Sequence, residues 1–205
     1  MVDLEDGRMV PGQRLVETEL AERFGVGRNA VREAMQRLAV RGVIDLTPNR
    51  SPSIRRFTLA ETLDVLAISR LMTEFAAGLA ADHYDQQEHA AMLDGAMMQL
   101  GRADCDDEPG MFSRARRGFY RAILSIGGNR ELQRLFPAIG MHIIYAQYQS
   151  RQLRDIRMRD YEALATAIAA RDSVAARRAG NDHVRRVQDI IAAMVTVERP
   201  AVLTQ

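Results

Sequence analysis

Helical spacing of apolar residues runs through almost the whole sequence, and strand-like residues interrupt it in one place only. From Thr58 onward, apolar side chains recur at positions i, i+3 and i+4, first over 59–83, for which Thr58 is a suitable N-cap. The same spacing predicts further helices at 86–103, 111–126, 130–149, 153–171 and 173–197. Residues 58–205 are therefore expected to form an all-α bundle with its own core.

The first 57 residues follow a different pattern. Residues 14–24 have helical spacing, the Gly-Val-Gly sequence at 25–27 interrupts it, and a second helical segment follows and ends at Gly42. Two short strands are then expected around a polar, proline-containing turn, at 43–47 and 53–57. Helix, turn, helix and β-hairpin together describe a winged helix-turn-helix. We therefore predict a mainly α protein with this DNA-binding domain at 1–57.

Positive charge is concentrated in that first domain. The chain has a formal net charge of +1, yet residues 23–56 contain eight arginines and only two acidic residues. Affinity for a phosphate backbone grows with the number of cations that displace its counterions, so this part of the chain is suited to double-stranded DNA. All 28 basic residues are arginines, so the position of an arginine carries the argument, not its choice over lysine.

Composition and motifs exclude several classes of protein. The sequence has no run of about 18 apolar residues, which excludes a membrane-spanning helix. The N-terminus is acidic and has no apolar core of a secretory signal, so we expect a cytoplasmic protein. The four histidines are scattered, and the sequence has no Ser/His/Asp or Cys/His motif, phosphate loop or metal-ligand cluster. We therefore do not expect an enzyme.

The stretch PGQRLVETELAERFGVGRNAVREAMQRLAVRGVI, residues 11–44, resembles the DNA-binding domain of GntR-family transcription regulators. The positions that match the family pattern are Pro11, Gly12, Leu15, Glu17, Leu20, Ala21, Val26, Arg28, Val31, Arg32, Glu33, Ala34, Leu38 and Gly42. The rest of the chain resembles the FadR-type (FCD) ligand-binding domain, through Arg70, Glu74, Ala77, the segment 119–123 and the pair Gly128-Asn129. The resemblance implies a homodimeric, ligand-responsive regulator, most often a repressor, that binds a pseudo-palindromic operator.

Two departures from the family pattern concern the DNA-binding domain. Family members begin with a helix before the Gly-Arg-x-x-Pro-Gly turn, and only six residues precede Gly7 here, so we expect either a truncated first helix or a true start that lies upstream. The second helix begins with Gly27, Asn29 and Ala30 where Ser, Thr and Pro are usual, and loss of a serine N-cap weakens a helix start by about 0.5–2 kcal/mol. We expect DNA binding to persist, with an altered operator.

The candidate base-reading residues lie at the start of the second helix. Arg28 and Arg32 are one turn apart, where guanidinium groups can reach guanine O6 and N7 or a phosphate, and Asn29 can read adenine. The alternative is that these arginines form a solvated helix face with Glu22 and Glu33. Contacts to phosphate and the minor groove are expected from the preceding helix and from the wing, at Thr18 and Arg50.

The second candidate site is implied by the resemblance. Many FadR-type domains hold a divalent metal with one aspartate and three histidines, and the matching positions here are Arg116, Tyr120, Tyr161 and His183. A guanidinium cannot ligate a cation, and neutral tyrosine is a poor ligand, so we expect no metal and no other cofactor. Arginine binds carboxylates and phosphates bidentately without a metal.

We therefore expect a small anionic metabolite, carboxylate or acyl-CoA-like, to be held by Arg116. The two tyrosines and His183 would supply hydrogen bonds or stacking. Arg70 is a candidate second anchor, although it could equally pair with Glu74 one turn away. The alternative is that Arg116 lies on the surface, in which case the protein is a constitutive DNA-binding regulator with a vestigial C-terminal domain.

Overall fold

The computed structural model describes residues 2–47, 50–106 and 108–197. Its N-terminal elements are α1 (Val2–Glu5), α2 (Glu17–Phe24), α3 (Arg28–Val40), β1 (Ile44–Asp45) and β2 (Ser53–Ile54). Its C-terminal elements are α4 (Leu59–His83), α5 (Gln86–Asp104), α6 (Met111–Gly127), α7 (Arg130–Leu135), α8 (Met141–Gln147), α9 (Arg151–Ala169) and α10 (Ser173–Val197). The predicted mainly α fold, a winged helix-turn-helix followed by a helical bundle, is confirmed.

The helix-turn-helix follows from two glycines. Gly25 ends α2 in the left-handed conformation, with φ of 64°, which a residue with a side chain rarely adopts. Gly27 is the N-cap of α3 and offers no side-chain hydrogen bond, as expected from the missing serine. The buried face of α3, Val31 and Met35, packs on a core shared with Leu15 and the hairpin. This packing leaves the opposite face of α3 exposed.

The wing is shorter than predicted. Its two strands pair antiparallel over two residues each, with Ile44 opposite Ile54, whereas the sequence predicted five residues a strand. The ladder continues irregularly, because the amide of Arg55 donates to the Val43 carbonyl, and the segment before α2 adds a bridge between Arg14 and Ser53. Two residues of the predicted turn, Pro48 and Asn49, lie outside the described residues.

Helices α4 and α10 form the centre of the C-terminal bundle, and α9 and the α5–α6 pair pack around them. The close approach of α4 and α10 depends on a glycine, because a Cβ atom on Gly180 would lie 3.0 Å from the Thr73 carbonyl oxygen. The buried core contains aromatic and aliphatic side chains from all of these helices, among them Leu100, Phe119, Ile123, Leu164 and Ile168.

One predicted helix, 130–149, is wrong. The structure has α7 over Arg130–Leu135, a 3₁₀ turn over Phe136–Ala138 and the separate helix α8 over Met141–Gln147. Pro137 has no amide hydrogen to continue the helix, and Gly140 takes a φ of 83° that reverses the chain before α8. The break turns α8 into an independent element between the two domains.

Contacts between the domains are extensive. The side-chain amide of Gln147, on α8, donates to the Phe57 carbonyl at 2.8 Å and accepts from the Phe57 amide at 3.0 Å. The N-terminal segment also contacts the bundle, since the buried carboxylate of Asp6 accepts a hydrogen bond from Arg114 on α6 at 2.7 Å. One apolar cluster continues from Met35 in α3 to Ile144 in α8. The DNA-binding domain therefore rests directly on α8.

The start of α4 has a complete capping box, so substitution of its N-cap residue should measurably lower the stability of the protein. The hydroxyl of Thr58 accepts from the Glu61 amide, and the Glu61 carboxylate accepts from the Thr58 amide at 2.8 Å. We expect Thr58→Ala to lower the free energy of unfolding by about 1 kcal/mol in chemical denaturation. Thr166→Ala, at an exposed position within α9, is the matched control and should be neutral. Equal stability of the two variants would contradict the prediction.

Candidate DNA-binding surface and anion site

The start of α3 presents polar side chains to solvent. Arg28, Asn29 and Arg32 are all exposed, on the side opposite the buried Val31 and Met35. An α-helix with one such face fits the major groove of DNA, where arginine and asparagine can read base edges. The first turn of α3 therefore has the shape and the chemistry of a recognition helix.

Arg32 is held in position by Glu17, the first residue of α2. Its Nε and Nη2 atoms donate to the two Glu17 carboxylate oxygens at 3.0 and 2.8 Å. This hydrogen bonding from Arg32 lowers the pKa of Glu17. The Arg32 side chain remains 60% exposed, so its outer edge is accessible to DNA. Glu33 bonds Arg37 instead, so solvated ion pairs do occur along this helix, and the base-reading role of Arg32 stays a prediction.

The two remaining candidate contacts are also on the surface. Thr18 is exposed in the first turn of α2, and Arg50 is exposed where the described part of the wing resumes. Both positions are accessible to a phosphate backbone, and their contacts with DNA stay predictions.

The bundle brings together three of the predicted effector residues. Tyr120 of α6, Tyr161 of α9 and His183 of α10 are all buried. The ring centroid of Tyr161 lies 5.9 Å from that of Tyr120 and 4.9 Å from that of His183. Burial raises the pKa of both phenols, so both tyrosines are neutral.

Arg116, the fourth predicted residue of this site, is buried beside them and only 5% exposed. Its guanidinium carbon lies 3.0 Å from the ring centroid of Tyr145, on α8, and its Nη1 atom is buried without a hydrogen-bond partner among the described residues. Arg116 and Tyr145 line two cavities of about 460 Å³ each. One has a mixed polar lining that includes Phe112, Ser113 and Arg157, and the other is mainly apolar and includes Tyr120, Phe136 and Met141.

Comparison with known proteins establishes the family. Residues 2–54 match the model of bacterial regulatory proteins of the GntR family, and residues 64–186 match the model of the FCD domain. This chain belongs to the GntR family of regulators with an FCD domain. It is thus a transcription regulator and not an enzyme, and regulators of this family bind DNA and typically act as dimers.

Several relatives of this GntR-family regulator match it over most of their length. The transcriptional regulator Mce2R of Mycobacterium tuberculosis is 28% identical over 88% of this chain and 83% of its own. The probable D-xylose utilization operon transcriptional repressor of Paenarthrobacter nicotinovorans is 24% identical over 90% of this chain and 81% of its own. The solved structure of E. coli McbR/YncC, 22% identical, superposes with a TM-score of 0.77 over 94% of this chain and 93% of its own.

Two findings concern a membrane-spanning helix and a metal site, neither of which the sequence predicts. Over the part of the chain that the structure describes, none of the helices is both long and apolar enough to cross a membrane. Within the same residues, no cluster of three or more histidine, cysteine or acidic side chains is placed to hold a metal ion. The residues at the four ligand positions do not fit the metal of the family, since they are one guanidinium, two neutral phenols and a single histidine.

His183 has a different set of partners from those of a metal ligand. Its Nδ1 atom lies 2.9 Å from the Oδ2 atom of Asp160, and the other carboxylate oxygen, Oδ1, accepts from Arg186 at 2.6 Å. Burial lowers the pKa of His183, so its imidazole is neutral and Nδ1 donates to Asp160. Burial raises the pKa of Asp160, but these hydrogen bonds lower it by more, so the carboxylate is ionised. The pair fixes the orientation of the His183 ring beside Tyr161.

Arg70 lies on α4, which carries none of the other predicted effector residues. It does not line either of the two cavities at Arg116, and its Nε atom is buried without a partner in the described residues. Glu74, its alternative partner, accepts a hydrogen bond from Asn181 at 2.6 Å. Its role as a second anchor stays a prediction that the cavity geometry does not favour.

The structure adds two site residues that the sequence analysis missed, Arg157 and Tyr145. Arg157 is 6% exposed, and its guanidinium carbon lies 4.6 Å from the same Tyr145 ring. A signal was present in the sequence, because Arg157 lies between Leu153 and Tyr161 at i, i+4 and i+8 on the buried face of α9. A charged residue in an apolar stripe marks a position with a special role.

His142, in the wall of the apolar cavity, makes the protein sensitive to acid. Burial, with the nearby charge of Arg116, lowers the pKa of His142 to about 4, against about 6.5 in an unfolded chain. Its neutral form therefore contributes stability that is complete above pH 6.5 and is lost, at about 1.4 kcal/mol per pH unit, as the pH falls toward 4.

We therefore expect His142→Gln to reduce the loss of unfolding free energy between pH 7.5 and 5.0 by about 2 kcal/mol, measured by urea denaturation at both pH values. His83→Gln, at an exposed histidine, is the control and should lose as much stability as the wild-type protein. An equal acid loss in the His142 variant and the wild type would refute the assignment.

Proposed function

We propose that this regulator binds its operator as a homodimer and that a small anionic metabolite, bound beside Arg116, controls that binding. The observation that carries the proposal is the buried guanidinium of Arg116, whose Nη1 atom has no acceptor among the described residues and which lines two cavities. Burying an arginine without a counter-ion opposes folding, and a bound anion removes that cost. The site is therefore incomplete without an anion.

On the DNA side, the two recognition helices of a homodimer would enter successive major grooves of a pseudo-palindromic site. Arg28, Asn29 and Arg32 would read bases, and Thr18 and Arg50 would contact the backbone and minor groove. One relative of similar length is named a repressor, and we assign the same sense of regulation to this chain. The unliganded protein would then occupy its operator.

The effector acts, in this proposal, through α8. This helix carries Tyr145 against Arg116, and two residues later Gln147 bonds the backbone of Phe57 at the boundary of the DNA-binding domain. An anion that changes the position of Tyr145 changes the support of that domain. In this proposal α8 connects the two sites, and the effector would favour one of two placements of the DNA-binding domain, which is what coupling between distinct sites requires.

The test begins with the operator. Sequencing the genomic DNA fragments retained by the purified protein yields the site, and fluorescence anisotropy then measures its affinity in the presence of a panel of organic acids and acyl-CoA compounds. We expect at least one compound to weaken operator binding about tenfold or more, which corresponds to about 1.4 kcal/mol of coupling. The same compound should raise the melting temperature, because it binds the folded state.

The rival function is a constitutive regulator with a vestigial ligand domain. Operator binding that no anion in the panel alters, together with an unchanged melting temperature, would favour this rival. Weaker operator binding without thermal stabilisation would also contradict the proposed site, because a ligand of the folded protein must stabilise it.

A further inference from the structure

A second buried cation lies next to Arg116. Arg157 is 6% exposed, and its Nε and Nη2 atoms are buried with no hydrogen-bond partner in the described chain. Burial lowers the pKa of Arg157, and the charge of Arg116 lowers it further, which places the two guanidinium groups within electrostatic range. The site thus holds two like charges that both lack a hydrogen-bond acceptor.

The acidic residues near the two cations already have other partners. Asp6 and Glu108, in the wall of the polar cavity, both pair with Arg114, at 2.7 and 2.6 Å. Asp106, in the same wall, is exposed and accepts from the Glu108 amide. Within the described residues, neither Arg116 nor Arg157 forms an ion pair with a carboxylate. Two positive charges are therefore buried without compensation.

Tyr145 occupies the space that the two guanidinium groups share. Their carbons lie 3.0 and 4.6 Å from its ring centroid, so both cations contact one aromatic ring. A cation–π contact contributes about 0.5–2 kcal/mol, and a charge-assisted hydrogen bond to a carboxylate or phosphate is stronger and more directional. A small anion in the place of the phenol ring would therefore form stronger interactions with the two guanidinium groups than the ring does. Tyr145 lies on α8 and is only partly buried, so its side chain can rotate away from the two cations without movement of the helix.

We infer that this site recognises a compact dianionic group, clamped between Arg116 and Arg157 in the place now taken by the Tyr145 ring. The inference rests on the proposed function, and it specifies the charge of the effector and names Arg157 as the second anchor. Two negative charges neutralise the two buried cations, and several acceptor oxygens match their free N–H groups. A phosphate monoester and a short dicarboxylate share this chemistry.

The first test compares simple anions at constant ionic strength and pH 7.5 by isothermal titration calorimetry on the full chain. Inorganic phosphate and malonate represent the two sources of a dianion, and acetate represents a monoanion. We expect one or both dianions to bind at least tenfold more tightly than acetate. If only phosphate binds, the effector carries a phosphate group. If only malonate binds, the effector is a dicarboxylate. Equal affinity for all three anions would overturn the inference.

Variants separate this inference from the proposed function. Arg157→Met should bind the preferred dianion at least tenfold more weakly, whereas the surface variant Arg159→Met on the same helix should bind as the wild type does. Arg157→Lys keeps the positive charge but loses the planar guanidinium that can donate two parallel hydrogen bonds, so it should bind with intermediate affinity. Arg157 has no ion-pair partner in the described part of the chain, and removing its buried charge offsets the loss of its contact with Tyr145, so neither substitution should lower the melting temperature of the unliganded protein. Full affinity in both Arg157 variants, with loss in Arg116→Met, would overturn the dianion site and leave the effector at Arg116 intact.

Displacement of Tyr145 has its own readout. The chain has no tryptophan, so Tyr145→Trp introduces a single indole whose emission reports on its surroundings. We expect the dianion that binds to shift this emission, with a midpoint equal to the calorimetric Kd. Tyr145→Ala should bind the dianion more tightly than the wild type, because the competing ring is absent. Unchanged emission at saturation, or weaker binding by the alanine variant, would contradict displacement of the ring.

Discussion

Replacing Arg32 by alanine is expected to reduce operator binding to the non-specific level while the protein stays folded. A bidentate arginine–guanine pair contributes about 1–3 kcal/mol of discrimination, and a homodimer loses it at both half-sites. Arg32 is well exposed, and its partner Glu17 is partly solvated, so breaking their ion pair costs little stability. The measurement is fluorescence anisotropy on operator and scrambled duplexes at matched salt.

The control for this result is Arg37→Ala. Arg37 is an exposed arginine in the last turn of the same helix and pairs with Glu33, so its loss removes a positive charge away from the recognition end. We expect this variant to bind the operator and the scrambled duplex more weakly than the wild type, by the same small factor. An Arg32 variant that still prefers the operator as strongly as the wild type would remove Arg32 from the base-reading residues.

The second large effect is expected at Arg116. Truncating one partner of a buried charge pair costs about 2–5 kcal/mol, so Arg116→Met should raise the Kd of the effector at least 30-fold. Arg116 is not among the candidate DNA contacts, so operator affinity without effector should change less than the effector Kd, by no more than the loss of the Arg116–Tyr145 contact transmits through α8. The measurement is an effector titration of the preformed protein–operator complex.

Arg159→Met on α9 is the matched control for this variant and should release the operator at the same effector concentration as the wild type. Arg116→Lys tests the geometry, because lysine keeps the charge but cannot form the bidentate fork. A normal effector response in Arg116→Met would show that the metabolite binds elsewhere in the FCD domain, and it would refute the proposed site.

Much of the fold was predictable because its signals are local. The breaks at Gly25 and Gly128 are positive-φ glycines, and the capping box at Thr58 joins residues three apart in the chain. The break within 130–149 is equally local, because Pro137 and Gly140 interrupt the helix although the apolar spacing continues across them.

The first predicted helix, 14–24, starts three residues late in the structure, at Glu17, because Arg14 and Leu15 pair with the wing instead. The other helix boundaries agree with the predictions within one or two residues, which is the uncertainty inherent in helix ends.

The residues of the candidate sites likewise fall into those that local sequence patterns predict and those that only tertiary contacts reveal. The exposed face of α3 follows from its own periodicity, so Arg28 and Arg32 could be assigned before the structure was known. Arg116 was assigned through the register of the family pattern. The contact of Tyr145 with Arg116 and Arg157 joins three helices and appears in no short sequence pattern.

The sequence by itself determined the two-part architecture and the recognition helix, because turn glycines, caps and helical spacing act over one to four neighbouring residues. It also placed an arginine and a tyrosine where the family has metal ligands. Only the tertiary structure decided that Arg116 is buried, that Arg157 lies beside it without a counter-ion, and that α8 contacts both the cations and Phe57. Those features depend on desolvation and on contacts between residues far apart in the chain, which local spacing does not encode.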